Sequence, residues 1–197
     1  MKNHIEIPTP SQEEVKKYLE LWDSLESYTS QESSLKKLFT VTYPYNKDLD
    51  DVLIKVCSLN DFYSTNIFSP FAVAKHIVAL DIDNYFSSGD LEIVNKIAKI
   101  AMNGGKIKNF YSFATKYCSH HRPTVYPIYD SYVEKILLHF KNRDNFFSFN
   151  KEDLKLYPSY KNILIKFTQF YKLESFDLKK IDKYLWQIGK EYFPKKY

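Results

Sequence analysis

The stretch YSFATKYCSHHRPTVYPIYDSYV, residues 111–133, decides the fold that the sequence predicts. A helical segment rich in aromatic residues runs to His121, a loop with two prolines follows, and Asp130 stands where a new apolar helix begins. Asp is a preferred N-cap because its carboxylate accepts hydrogen bonds from the first backbone N–H groups of a helix. The stretch therefore predicts a helix, a stiff loop and a second helix, with a carboxylate fixed at Asp130.

Signals of helix capping and helical spacing recur on both sides of this stretch. Ser11 and Glu14 form a capping box ahead of a first helix that is predicted to end near Tyr28. Ser69-Pro70 opens another helix, as a cap followed by a first-turn proline. Further helices are predicted at about 34–39, 48–59, 90–101, 157–173 and 176–193, with Asn103-Gly104-Gly105 as a C-cap. With only four glycines and few strand signals, we predict an all-α fold.

The size and composition of the chain predict one compact domain over residues 1–197, with the helices of 150–197 packed on its core. No apolar run is long enough to cross a bilayer, and the polar start of the chain is unlike a signal peptide. Cys57 and Cys118 lie in apolar segments, so we expect buried free thiols in a cytoplasmic protein. The net charge of +4 is compatible with nucleic-acid binding but does not establish it.

Two segments resemble the helix-hairpin-helix DNA glycosylases. Residues 127–133, PIYDSYV, are similar to the turn in which that family carries the Asp that serves the reaction. Residues 59–66, LNDFYSTN, stand where the family has a polar loop that fills the gap left by an extruded base. The order and separation of these segments match over about residues 50–140. The turn is also similar to that of uncharacterised bacterial proteins which share Pro-Ile-x-Asp-Ser.

The chain departs from this family in two places. The glycine-rich hairpin signature is replaced by GGKIK at residues 104–108. Members with a catalytic lysine carry it about one helical turn earlier, at the position of Tyr111 or Ser112. Lys116 is the lysine that a shortened loop brings near Asp130, and it is therefore the candidate nucleophile.

The resemblance implies a DNA glycosylase that acts on double-stranded DNA, in repair or in anti-phage defence, without a cofactor or a metal. Asp130 would stabilise the positive charge that develops on the deoxyribose or activate water, and Lys116 would form a Schiff base. A base inside a duplex must be extruded before it can react. The candidate residues for the base pocket and for DNA contact are Asn60, Tyr63, Asn66, Ser112, His120, His121, Arg122, Tyr126 and Tyr129.

Simpler interpretations of the same residues stay open. Asp130 can be an ordinary cap, the tyrosines can be core residues, and a helix C-terminus favours the positive side chains of residues 120–122. The spacing of Cys118, His120 and His121 does not favour a zinc site, because adjacent histidines on a helix point in different directions. A noncatalytic nucleic-acid-binding or protein-interaction domain is the alternative function. Such an adaptor needs neither Lys116 nor Asp130, so a shared open pocket for the two would favour the enzyme.

Overall fold

The structure, a computed structural model, describes residues 6–101 and 105–194. Helices dominate this described part, so the predicted helical class is confirmed. The helices are α1 Gln12–Ser24, α2 Glu26–Lys37, α3 Leu49–Tyr63, α4 Pro70–Ala79, α5 Asp83–Ser88, α6 Glu92–Ala98, α7 Tyr111–His121, α8 Ser131–Asp144, α9 Tyr157–Phe170 and α10 Leu178–Tyr192. A π-helical turn spans Leu38–Thr42, and a 3₁₀ turn spans Lys151–Lys155. Strands β1 Lys99–Ala101 and β2 Ile107–Asn109 form an antiparallel pair.

Three helix starts that were predicted from capping residues are confirmed, at α1, α3 and α8, and α4 begins at Pro70 as predicted although Ser69 makes no side-chain capping bond. The Ser11 hydroxyl accepts the backbone N–H of Glu14 at 3.2 Å, which is one of the two hydrogen bonds of the predicted capping box. Asp48 caps α3 in the same way. At α8, Oδ1 of Asp130 accepts the N–H of Tyr132 at 2.9 Å. Each cap satisfies N–H groups that have no partner inside the helix, which is why these local signals are reliable.

Several predicted boundaries were wrong. The first helix ends at Ser24, because Leu25 leaves the helical region and α2 starts directly after it. The helix predicted over 90–101 stops at Ala98, where the backbone of Lys99 becomes extended and pairs with β2. The C-cap expected at Asn103-Gly104-Gly105 falls largely outside the described residues. Helix α5 had no strong periodic signal and was not predicted.

The two cysteines are both free, as expected, but they differ in burial. Cys118 lies buried in α7, whereas Cys57 is exposed on α3. The expectation of a buried thiol was therefore wrong for Cys57, because the buried face of α3 is formed by Val52, Val56 and Leu59. Within the described residues, no helix combines the length and the apolar character that crossing a membrane requires.

Two contacts of α10 position the site. An added Cβ on Gly189 would lie only 2.7 Å from the carbonyl oxygen of Tyr132, so α10 approaches the start of α8 as closely as a glycine permits. On its other side, α10 holds α1 through the Gln187 side chain, which donates to the carbonyl of Tyr18 at 2.8 Å. Helix α7 is buried along almost its whole length and forms the centre of the core. The first and last helices of the chain thus lie together, close to the start of α8.

Candidate active site

Lys116 is a buried lysine in the middle of α7, with only 4% of its side chain exposed. Its Nζ donates to the hydroxyl of Ser112 at 2.6 Å and to the carbonyl of Tyr129 at 3.3 Å. Oδ2 of Asp130 lies 3.7 Å from the same nitrogen. Burial lowers the pKa of Lys116, although Asp130 and Asp182 act in the opposite direction. A larger fraction of Lys116 is therefore in the neutral, nucleophilic form than of a free lysine at the same pH.

Asp130 uses its two oxygens differently. Oδ1 caps α8, while Oδ2 faces Lys116. The loop that carries it is fixed from two sides: Thr115 Oγ1 accepts the N–H of Tyr129 at 3.1 Å, and the hydroxyl of Tyr157 donates to the carbonyl of Pro127 at 2.9 Å. The carboxylate is 22% exposed and is thus open to a ligand. Asp130 is a cap and also the counter-charge of a buried lysine.

Lys116 and Asp130 line the same open pocket, whose cavity measures about 320 Å³. This volume is in the range of pockets that hold small organic ligands. Aromatic side chains from five different helices line it. The aromatic walls are formed by Trp22, Tyr28, Tyr132 and Trp186, and Phe62 and Tyr63 of α3 line the cavity beside them. The Trp186 ring lies 5.9, 5.3 and 6.3 Å from the rings of Trp22, Tyr28 and Tyr132, so the walls form one aromatic cluster.

Helix α10 adds charged groups that the sequence did not single out. Glu32 of α2 accepts from Trp22 Nε1 at 3.2 Å and pairs with Lys183 at 2.7 Å and Lys179 at 3.5 Å. Asp182 lines the same pocket and is only 7% exposed. Burial raises the pKa of Asp182 to about 7, against the lowering effect of Lys179 and Lys116. In the part of the chain that the structure describes, three carboxyl groups thus line the pocket, of which Asp182 is the most deeply buried.

The structure brings some of the predicted site residues together. Tyr63, Lys116 and Asp130 all line the pocket, and the ring of Tyr63 lies 5.3 Å from the Lys116 nitrogen. The hydroxyl of Ser112 accepts a hydrogen bond from Nζ of Lys116. His120 does not line the pocket itself but contacts a residue that does: its Nε2 is 3.0 Å from the Tyr63 hydroxyl. Burial lowers the pKa of His120 to about 3, so this ring is neutral near pH 7.

The other predicted residues lie away from the pocket. Tyr126 and Tyr129 are buried in the core, at 0% and 5% exposure. The ring of His121 stacks on Phe86, and the exposed Arg122 donates to the carbonyl of the same residue. The aromatic walls therefore come from Trp22, Tyr28, Tyr132 and Trp186 rather than from the tyrosines of the 126–129 loop.

Asn60 and Asn66 line a second, shallower cavity, and Ser64 borders both cavities. The side chain of Asn60 accepts the N–H of Ile67 at 2.9 Å and donates to its carbonyl at 3.1 Å. The loop is thereby braced, with Ser64 and Asn66 in the left-handed region at φ 48° and 58°. It presents Phe68 to solvent at 96% exposure. The side chain that projects from this loop is thus Phe68.

In the described part of the chain, no group of three or more His, Cys, Asp or Glu side chains is arranged to hold a metal ion.

Two comparisons relate the chain to known proteins. The family model HI_0787_N, described as an N-terminal domain, matches residues 14–125. A Haemophilus influenzae protein named "Uncharacterized protein" is 49% identical over 148 residues, which cover 75% of this chain and 70% of that protein. No solved structure matches.

Proposed function

The chain belongs to the HI_0787_N family, and we propose that it excises a damaged or modified base from DNA by cleaving the N-glycosidic bond. One observation carries this proposal: Lys116 Nζ lies 3.7 Å from Asp130 Oδ2, and both groups line one open pocket with aromatic walls. A buried lysine beside a carboxylate in an open pocket favours an enzyme over a protein-interaction or nucleic-acid-binding adaptor. The resemblance of residues 127–133 to the glycosylase turn supports the same assignment.

The proposed reaction begins with an extruded nucleotide whose base lies among the aromatic walls. The neutral amine of Lys116 attacks C1′ of the deoxyribose, and the C1′–N bond breaks. Its electron pair leaves with the base, which takes up a proton. The attached nitrogen gives up one proton, which balances the proton taken up by the base. Its second proton passes to the ring oxygen as the C1′–O bond breaks, which gives an imine between Lys116 and C1′. Asp130 stabilises the positive charge that develops on the sugar before the new bond is complete.

The surroundings of Lys116 suit this role better than a structural one. Its hydrogen bonds to Ser112 and Tyr129 fix the nitrogen beside the pocket, so little freedom is lost when a substrate binds. Burial lowers the pKa of the amine, which increases the neutral fraction. Stacking on aromatic rings contributes about 1–3 kcal/mol per base in single-stranded binding sites, which helps to offset the cost of unpairing.

The test is base release from DNA that carries a panel of lesions and modified cytosines. Abasic sites are detected by alkaline cleavage, and borohydride is added to trap an imine as a covalent protein–DNA adduct. We expect release and trapping with the natural chain, and neither with Lys116→Gln. Lys166→Gln, which alters a partly exposed lysine of α9 outside the pocket, serves as the control. The absence of release across the whole panel would contradict the proposal and favour a noncatalytic binding domain.

A further inference from the structure

Asp182 presents an unused carboxylate in the pocket. The residue is 7% exposed and lies on the face of α10 that lines the cavity. Among residues 6–101 and 105–194, no group hydrogen-bonds to it or forms an ion pair with it within 4.0 Å. The two other carboxylates of the pocket, Asp130 and Glu32, both have partners. The oxygens of Asp182 are not among the fully buried polar atoms that lack a partner in the described residues, so they are reached from the cavity that the residue lines.

The neighbouring cations do not supply a partner for Asp182. Lys116 is held by Ser112, Tyr129 and Asp130, while Lys179 pairs with Glu32. Both lysines affect Asp182 only through longer-range charge interactions. The carboxylate oxygens of Asp182 are therefore available to accept hydrogen bonds from a molecule bound in the cavity.

We propose that Asp182 recognises the extruded base by accepting two adjacent N–H donors, which selects guanine or a guanine derivative. This inference rests on the proposed function, since it places a base in the pocket. An ionised carboxylate is an acceptor only, with two oxygens that can take a pair of donors. Guanine offers such a pair in its ring N1–H and its 2-amino group. Adenine and cytosine instead present a donor beside an acceptor, and thymine presents one donor between two acceptors.

The geometry of the walls agrees with this assignment. Trp186 is four residues after Asp182, so both side chains lie on one face of α10. Because both side chains line the same cavity, a base that contacts the Trp186 ring lies in the space that Asp182 also borders. Chemical modification elsewhere on the guanine ring leaves the N1–H and 2-amino edge intact, so the same contact serves an altered base.

The test uses nucleoside binding, which does not require a reaction. The chain has two tryptophans, and both line this pocket, so tryptophan fluorescence reports on it directly. The full chain is titrated at about pH 8, where Asp182 is ionised, with 2′-deoxyguanosine, 2′-deoxyinosine, 2′-deoxycytidine and thymidine. Deoxyinosine lacks only the 2-amino group of deoxyguanosine. We expect deoxyguanosine to bind about tenfold more tightly than deoxyinosine, because one hydrogen bond to a charged group is lost.

Two variants separate recognition from folding. Asp182→Asn replaces one hydrogen-bond acceptor by a donor, so the preference for deoxyguanosine over deoxyinosine should disappear. The affinity for deoxycytidine should increase, because this base presents a donor beside an acceptor. Asp177→Asn makes the same chemical change at the exposed N-cap of α10, outside the pocket, and should keep the natural preference. Equal binding of all nucleosides, or no binding of any, would overturn the inference even if base release is observed. A guanosine preference without base release would instead support the inference and contradict catalysis.

Discussion

Lys116 and Asp130 are 14 positions apart in the sequence, yet Nζ of the lysine lies 3.7 Å from Oδ2 of the aspartate. The other carboxylate oxygen, Oδ1, accepts the N–H of Tyr132 and caps α8. One side chain thus stabilises a helix and also provides a negative charge beside a buried amine. These two contributions can be separated, because asparagine can cap a helix but carries no charge.

We expect Asp130→Asn to reduce base release by roughly 10²-fold or more, because the charge that stabilises the developing cation is lost. Breaking a fully buried ion pair usually costs about 3–5 kcal/mol. The free energy of unfolding of Asp130→Asn should fall by less than that. Lys116 keeps its bonds to Ser112 and Tyr129 and can become neutral. Alkaline cleavage of lesion-bearing DNA and urea unfolding measure the two quantities.

Asp130→Ala is the matched variant for the cap. It should be less stable than Asp130→Asn by about 1 kcal/mol, the usual contribution of an N-cap side chain. Substantial base release by the asparagine variant would remove Asp130 from the mechanism.

The stability of the protein should depend on pH through Asp182. Burial raises the pKa of this carboxyl from its ordinary 3.8 to about 7 in the folded state. Between these values the unfolded chain has lost the proton and the folded chain retains it, so stability falls as pH rises through this window. Asp182→Asn has no such proton to lose. The difference in unfolding free energy between Asp182→Asn and the natural chain should therefore grow in favour of the variant from about pH 4 to about pH 7. It should reach about a few kcal/mol and then level off.

Urea unfolding at several pH values measures this difference, with Asp177→Asn as the control for an exposed carboxylate on the same helix. Parallel stability curves for the natural chain and Asp182→Asn would show that Asp182 titrates normally.

Gly189→Ala should destabilise the protein by about 1–3 kcal/mol, the usual cost of overpacking. Alanine normally stabilises a helix relative to glycine by about 1 kcal/mol, so the expected sign is reversed here. The reason is the contact with Tyr132, whose backbone carbonyl oxygen would be 2.7 Å from the new Cβ. Thermal unfolding measures the effect. Lys180→Ala, at an exposed position of the same helix, is the control, and an increased Tm for Gly189→Ala would argue against the close approach.

Phe68→Ala should weaken duplex binding and slow base release from duplex DNA, but leave release from single-stranded DNA unchanged. An apolar side chain that inserts between base steps helps to keep a nucleotide extruded, and a single strand has no stack to open. The side chain is 96% exposed, so unfolding free energy should change by no more than about 0.5 kcal/mol. Tyr45→Ala, at an exposed aromatic residue outside both cavities, should have no effect on DNA. Equal losses on both kinds of DNA would contradict an insertion role.

Local features of the site could be predicted from the sequence. The cap at Asp130 and the helix that carries Lys116 depend on neighbouring residues only, so capping rules and helical spacing were sufficient. The proximity of Lys116 to Asp130 was accessible for the same reason, since one loop connects their helices. The resemblance to a known turn then gave the pair a chemical meaning.

The walls of the pocket could not be predicted, because they depend on how distant helices pack. Trp22 and Trp186 lie at opposite ends of the chain but meet at 5.9 Å. The spacing of α10 predicts an apolar face that includes Ile181 and Leu185, but it does not reveal that Asp182 is buried as well. Tyr126 and Tyr129 were chosen for their nearness to Asp130 in sequence. That nearness does not determine which side of the loop a ring faces, and both rings face the core.

The contact between the first and last helices also has a consequence for biosynthesis. Lys116 and Asp130 leave the ribosome almost together, but the helix that carries Asp182 and Trp186 follows some fifty residues later. A translation product that stops before residue 178 therefore has Lys116 and Asp130 without the residues of α10 that line the same pocket. The pocket is completed by the docking of α10 between α1 and α8. Under the proposed function, base excision would thereby depend on the synthesis and docking of α10.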